Sequence, residues 1–262
     1  MTDTPVTWSI TDAVATITLN RPEVLNAIDV PMAQGLARAV HAVVDSGQAR
    51  AIVLRGAGRA FVAGGDVASF GADPARAKEV VNDILAAAHA AILTLQAQDA
   101  PVIAAVQGAA AGAGLSLVLG ADLVVAAENA RFLMAYDKLG VPPDCGATWF
   151  LARKLGYGRA AGLFYLSDTL DAATAQAAGI VNRVVPAADL DRSVAEMAAQ
   201  VASGPTRAYG IFRREMTAAA TATLAEQLEA ERDAFVGNTD AADFVEGVGA
   251  FLARRAANFS GR

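Results

Sequence analysis

The sequence has one cysteine, Cys145, so no disulfide can form within the chain and a disulfide-stapled secreted fold is excluded. Histidine is almost as scarce: His41 and His89 stand in predicted helices with no second metal-type ligand at helical spacing, so no metal centre is expected. Positive charge is in deficit, with 21 Lys and Arg against 27 Asp and Glu and a net charge of −6. Such a surface is ill suited to a phosphate backbone, and no nucleic-acid partner is expected. No Gly-Lys-Ser/Thr phosphate loop occurs, and Gly112-Ala-Gly114-Leu-Ser-Leu117 lacks the third small residue of a dinucleotide fingerprint. The opening MTDTPVTWSI has neither a basic nor an apolar leader segment, which points to the reducing cytoplasm.

One uncharged run, Ala100 to Ala121, is long enough to cross a bilayer. Pro101, Gln107, Gly108, Gly112, Gly114 and Gly120 divide it into a β-branched strand, a glycine-rich turn and an apolar helix, so a buried unit is expected and no membrane partner.

What is present suits a well-filled globular fold: 262 residues, 54% of them apolar and 18% charged. Residues 6–20 read as two strands around a turn at Thr11-Asp12, Pro31 opens a helix to about Asp45, and Ala51–Leu54 is a short buried strand. A long Ala-rich helix is expected over 74–97, then strand 102–106, the turn Gly108–Gly114, a helix to about Gly120 and strand 122–127. After a strand over 180–185 the chain reads as helical, with starts at Asp189 and Pro205 and further helices near 222–235 and 240–254. The alternation predicts an α/β fold of parallel βαβ units over 1–190 followed by a helical segment over 191–262.

Two glycine-rich turns follow apolar strands, Phe61-Val-Ala-Gly-Gly-Asp66 and Gly108-Ala-Ala-Ala-Gly-Ala-Gly114. Each can aim bare backbone N–H groups at an anion or a developing oxyanion, although glycines between strand and helix are more often tight-packing devices. Asp144 lies in a Pro/Gly-rich turn within an apolar stretch, where a partly desolvated carboxylate could serve as a base. It could equally cap the helix that begins near Gly146. Cys145 beside it has no histidine nearby in sequence and reads as a buried small residue rather than a nucleophile.

Four blocks in register, Thr18–Ala27, Ala60–Val67, Pro101–Asp122 and Phe244–Arg255, resemble the enoyl-CoA hydratase/isomerase (crotonase) superfamily over nearly the whole chain. The resemblance implies a crotonase-like β/α spiral with a helical C-terminal trimerisation segment, assembled as a homotrimer or hexamer. It implies an acyl-CoA thioester substrate, with CoA as part of that substrate and no metal or redox cofactor. By position it puts an oxyanion hole at the N–H groups of Gly65 and Ala113, CoA contacts at Leu25, Ala27, Ala63 and Asp66, and nucleotide-end contacts at Phe251 and Arg254. Where hydratases carry two glutamates this sequence has Ser116 and Tyr136, leaving Asp144 at a position where isomerases of the superfamily carry their acid. The segment Lys138–Leu151 is most similar to ring-1,2-epoxyphenylacetyl-CoA isomerases of phenylacetate breakdown, which are related to Δ3,Δ2-enoyl-CoA isomerases. The expected activity is an enolate-stabilised isomerisation with Asp144 as proton shuttle. The alternatives are a hydratase with displaced acids and a non-catalytic CoA- or RNA-binding scaffold. Apolar positions around Phe61, Phe70, Ile84 and Trp149 are candidate acyl-pocket residues.

Overall fold

The computed structural model describes residues 4–71, 73 and 75–262. Strands β1 (Val6–Thr11) and β2 (Val14–Leu19) form an antiparallel hairpin from Val6↔Leu19 to Thr11↔Val14. Its two turn residues, Asp12 and Ala13, are both left-handed, with φ of 49° and 61°, which matches the right-handed twist of the strands. Ala15, Ile17 and Leu19 alternate inward and are fully buried. Helix α1 (Val30–Asp45) starts where the side chain of Asp29 accepts the Met32 N–H at 2.9 Å, with Pro31 in the first turn.

Next come β3 (Ala51–Gly56), α2 (Val67–Gly71) and α3 (Ala77–Ala97). The expected helix start at Pro74 lies outside the described residues, and α3 begins at Ala77. By length and composition α3 could cross a membrane; in the fold it runs along α1 and buries Ile84, Ala88, Ala91 and Leu95. The uncharged run becomes β4 (Val102–Val106), β5 (Ala109–Ala111) and α4 (Ala113–Leu119), as a strand, turn and helix. Then follow β6 (Leu123–Ala127), β7 (Arg131–Leu133), α5 (Ala147–Lys154), α6 (Gly156–Tyr165), β8 (Leu170–Asp171), α7 (Ala172–Ala177) and β9 (Arg183–Val185). Four helices close the chain: α8 (Leu190–Ala202), α9 (Thr206–Ala218), α10 (Leu224–Gly237) and α11 (Ala242–Leu252).

The main sheet has the order β1-β2-β3-β4-β6-β9 and is parallel from β2 onward; β5, β7 and β8 make a second, small sheet. The fold is therefore α/β with parallel βαβ units. One face of the main sheet packs under α1, α3 and α4. On the other face Val53, Ile103, Ala105, Val125 and Ala127 meet Leu190, Val194, Met197 and Ala198 of α8. The expected boundary at residue 190 thus falls at a helix that completes the layered core.

Two arginines fasten the helical segment to the sheet. Arg213 of α9 bonds to Asp122 and to the carbonyl oxygens of Leu95, Gln98 and Ala100. Arg50, just before β3, donates to Thr206 Oγ1 at 3.2 Å, Phe259 O at 2.9 Å and Gly204 O at 2.6 Å.

Candidate active site

The loop after β2 makes a left-handed turn at Leu25 and Asn26, with φ of 56° and 58°. Asparagine tolerates that conformation, and here its amide is also used fully. Asn26 is completely buried; its Oδ1 accepts the Arg21 N–H at 2.8 Å, and its Nδ2 donates to the carbonyls of Ala57, Ala60 and Phe61 at 2.9–3.0 Å. So stapled, the loop pairs with the first glycine turn: Ala63 N–H donates to Leu25 O, Ile28 N–H to Gly64 O and Asp66 N–H to Ile28 O. Leu25, Ala27, Ala63 and Asp66 are brought into one ribbon. The Arg21 guanidinium locks it by donating to Ala27 O at 2.8 Å and pairing with Asp29 at 2.9 Å and Asp66 at 3.1 Å.

The two glycine turns meet. Val62 N–H donates to Ala109 O and Ala111 N–H to Val62 O, laying the first turn along β5. A Cβ on Gly114 would stand 2.3 Å from Val62 O, so only glycine allows this approach. Gly112, at φ 51°, leads into α4, and a Cβ there would lie 3.6 Å from Gly64 Cα and 3.9 Å from Tyr136 Cζ. Among the described residues neither Gly65 N–H nor Ala113 N–H is given to a protein acceptor. Helix α4 has only seven residues, so it is these local amides, rather than a long dipole, that would stabilise a nearby oxyanion.

A carboxylate stands beside this junction. The cap position of α5 is taken by Gly146, at φ 78°, without any side-chain cap bond, so the capping alternative for Asp144 is overturned. The half-buried Asp144 instead accepts the Tyr136 hydroxyl at Oδ1, at 2.6 Å. Tyr136 OH is 3.0 Å from Ser116 Oγ, which itself lies 3.1 Å from Asp144 O and 3.2 Å from Gly112 O. The three side chains form one network that ends at the Gly112 turn. Burial, and then the Asp144 charge, push the Tyr136 phenol far above its ordinary range; the same causes in the same order push up the thiol of the buried Cys145. Both stay neutral around pH 7, which fits Cys145 as a packing residue and argues against a thiolate nucleophile. Within this network Asp144 is the only carboxylate.

The profile of the family described as enoyl-CoA hydratase/isomerase matches residues 9–262. The chain belongs to the enoyl-CoA hydratase/isomerase family. It is 40% identical over 250 residues to 1,2-epoxyphenylacetyl-CoA isomerase of Escherichia coli K12, covering 95% of each chain. It is 38% identical over 259 residues to a Rhodobacter capsulatus protein named "Probable enoyl-CoA hydratase", covering 98% of each. The crystal structure of an enoyl-CoA hydratase from Polaromonas sp. JS666 superposes with a TM-score of 0.91 at 34% identity, covering 97% of this chain and 99% of that one. The expected crotonase fold is thereby shown, and with it a CoA-thioester enzyme of the hydratase/isomerase kind.

Other expected site residues of this hydratase/isomerase chain lie apart. Phe251 is 82% exposed and Arg254 is exposed beyond the end of α11. The polar and ring contacts of α11 run to α10 through Phe244 and Phe235, and to the C-terminal residues through Asp243 and Glu246; within one chain they do not reach the ribbon. Phe61 is completely enclosed in the core and Ile84 is buried under α1, so neither guess for the acyl pocket is supported, because packing between layers claims both side chains. Phe70 does approach: its Cε1 would lie 3.4 Å from a Cβ on Gly65. Trp149 is 40% exposed, with the Arg153 guanidinium 3.6 Å over its ring. Asn26 and Arg21 were not anticipated as organisers of the site. The one available signal was a polar Asn between the apolar Leu25 and Ala27.

Proposed function

We propose that this chain is an acyl-CoA isomerase that shifts a double bond, or rearranges a ring epoxide, through a thioester enolate. Gly65 N–H and Ala113 N–H are assigned to hold the carbonyl oxygen as it gains charge, and Leu25, Ala27, Ala63 and Asp66 to line the CoA path. Asp144 takes a proton from the acyl chain and returns it one allylic position away. The observation that carries this reading is the single carboxylate of the Ser116–Tyr136–Asp144 network, with two neutral hydroxyls where hydratases place glutamates. Hydration needs two positioned acids to handle a water and an α-proton, whereas a 1,3 proton shift needs one. The name of the E. coli relative supports an isomerase acting on a ring-epoxide CoA thioester. Hydratase activity is the second reading, favoured by the name of the R. capsulatus relative.

The decisive measurement compares two rates on one enzyme. A 3-enoyl-CoA should become the conjugated 2-enoyl thioester faster than a 2-enoyl-CoA takes up water. Asp144→Asn should lower isomerisation by about 10²–10⁴ while leaving acyl-CoA binding nearly unchanged. A fully active Asp144→Asn enzyme would overturn the mechanism. Assembly as a homotrimer or hexamer is part of the same proposal. It is supported by the exposed apolar residues Phe212, Met216, Leu228, Phe235 and Leu252 on α9–α11. Light scattering should return a multiple of 26.8 kDa; a single-chain mass would count against it.

A further inference from the structure

The Ser116, Tyr136 and Asp144 side chains share two hydroxyl hydrogens. Tyr136 has one hydroxyl hydrogen, and its shortest contact, 2.6 Å, is to Oδ1 of Asp144. A carboxylate can only accept, so the phenol donates there. The Ser116 hydroxyl has one hydrogen for three acceptors, the phenol oxygen at 3.0 Å, Asp144 O at 3.1 Å and Gly112 O at 3.2 Å, and any bond it shares with the phenol must run from Ser116 to the phenol oxygen. Ser116 is completely buried and Tyr136 nearly so, which leaves the pair little freedom to re-aim. The Tyr136 ring stands beside the Gly112 turn, with Cζ 3.9 Å from where a Cβ on Gly112 would stand. Among the described residues no N–H or O–H donor meets the other oxygen, Oδ2, and the only further donor to this carboxylate is the weak one of the neighbouring Cys145 thiol.

We propose that Tyr136, oriented by Ser116, is a positioning residue that pins Oδ1 of Asp144 and makes Oδ2 the one oxygen that both takes and returns the substrate proton. The inference rests on the isomerase reading above and deepens it. In the first step the C2–H bond breaks, its electron pair passes into the thioester to give a dienolate, and the proton moves to Oδ2. In the second step Oδ2 gives the same proton to C4, the dienolate electrons return, and the carboxylate is regenerated. The Tyr136 hydrogen bond fits both states of Asp144, because Oδ1 is an acceptor whether or not Oδ2 carries a proton. Without the pin, the carboxyl group can turn about its Cβ–Cγ bond and exchange its proton with water before returning it.

The test is deuterium bookkeeping on a 3-enoyl-CoA labelled at C2, turned over in ordinary water. The intact enzyme should deliver a measurable share of the label to C4. Tyr136→Phe removes only the hydroxyl, and Ser116 keeps Gly112 O and Asp144 O as acceptors. It should lower kcat about tenfold with KM within about twofold, and most of the C4 label should be lost to solvent. Ser116→Ala should move label retention in the same direction by less, and it decides the matter if Tyr136→Phe does not fold. Unchanged kcat and label in the folded variants would overturn the inference, as would a rise in KM alone. If those variants behave as wild type while Asp144→Asn is inactive, the isomerase reading stands without it. An intact enzyme that isomerises nothing removes both.

Discussion

Arg213 grips Asp122 at two points, Nε to Oδ1 at 2.8 Å and Nη2 to Oδ2 at 2.7 Å, across 91 residues of chain. Asp122 also accepts the Val102 N–H at 2.7 Å, so one carboxylate ties α9, the start of β4 and the approach to β6. Arg213→Met would leave that carboxylate without its hydrogen-bonded cation, with only Lys154 nearby, and would orphan the carbonyls that Arg213 satisfies. Removing one partner of a largely buried pair should cost about 3 kcal/mol. A urea midpoint that did not move would refute this.

The Gly65 amide should matter more than any side chain at that position. Gly65→Pro removes the donor and should lower kcat by about 10²–10³. Gly65→Ala keeps the N–H, and its Cβ would meet Phe70 at an ordinary 3.4 Å, so its loss should be much smaller. Equal losses in the two variants would move the oxyanion site elsewhere.

Asn26 offers a test of what organises the CoA ribbon. Asn26→Asp keeps the Arg21 N–H bond but turns three carbonyl contacts into contacts between oxygens. Destabilisation of about 2–3 kcal/mol is expected, with KM for acyl-CoA raised more than kcat is lowered. Thermal unfolding and steady-state kinetics on the same preparation would check both parts.

The hairpin, the start of α1 and the strand–turn–helix unit at β4 to α4 were legible because each carries its own local signal: a period, a proline or a glycine turn. The small sheet was not, since β5, β7 and β8 have three, three and two residues, too few to show any alternation. Asp144 stood out from its turn, yet its role could not be read from local rules. Capping depends on the neighbouring helix, which takes Gly146, while the partner that matters is Tyr136, eight residues back across a Pro-Pro turn. That contact is made by tertiary packing and leaves no spacing rule in the sequence.

Alkaline pH should destabilise the fold through Cys145 and Tyr136. Cys145 and Tyr136 both hold their protons above the ordinary values of 9.0 and 10.0 when folded. The unfolded chain releases them first, so stability is whole below about pH 9 and falls as the pH rises through 9 and 10. The urea midpoint should begin to drop near pH 9 and keep dropping through pH 10 and above, and Cys145→Ala should remove the part that begins nearest 9. In the folded protein the thiol should resist disulfide reagents at about pH 8. Rapid labelling without unfolding would contradict the burial described.

Arg50 gives the order of synthesis a structural meaning. Its acceptors on Gly204 and Phe259 lie 154 and 209 residues further along the chain. At about 5–20 residues per second, roughly ten to forty seconds separate the making of the guanidinium from the making of its last acceptor. Within that interval, from the making of β4 until α8 is made, the growing chain exposes the underside of β3 and β4, which α8 covers. A nascent chain halted before residue 190 should therefore be a client for chaperones, and the finished one should not.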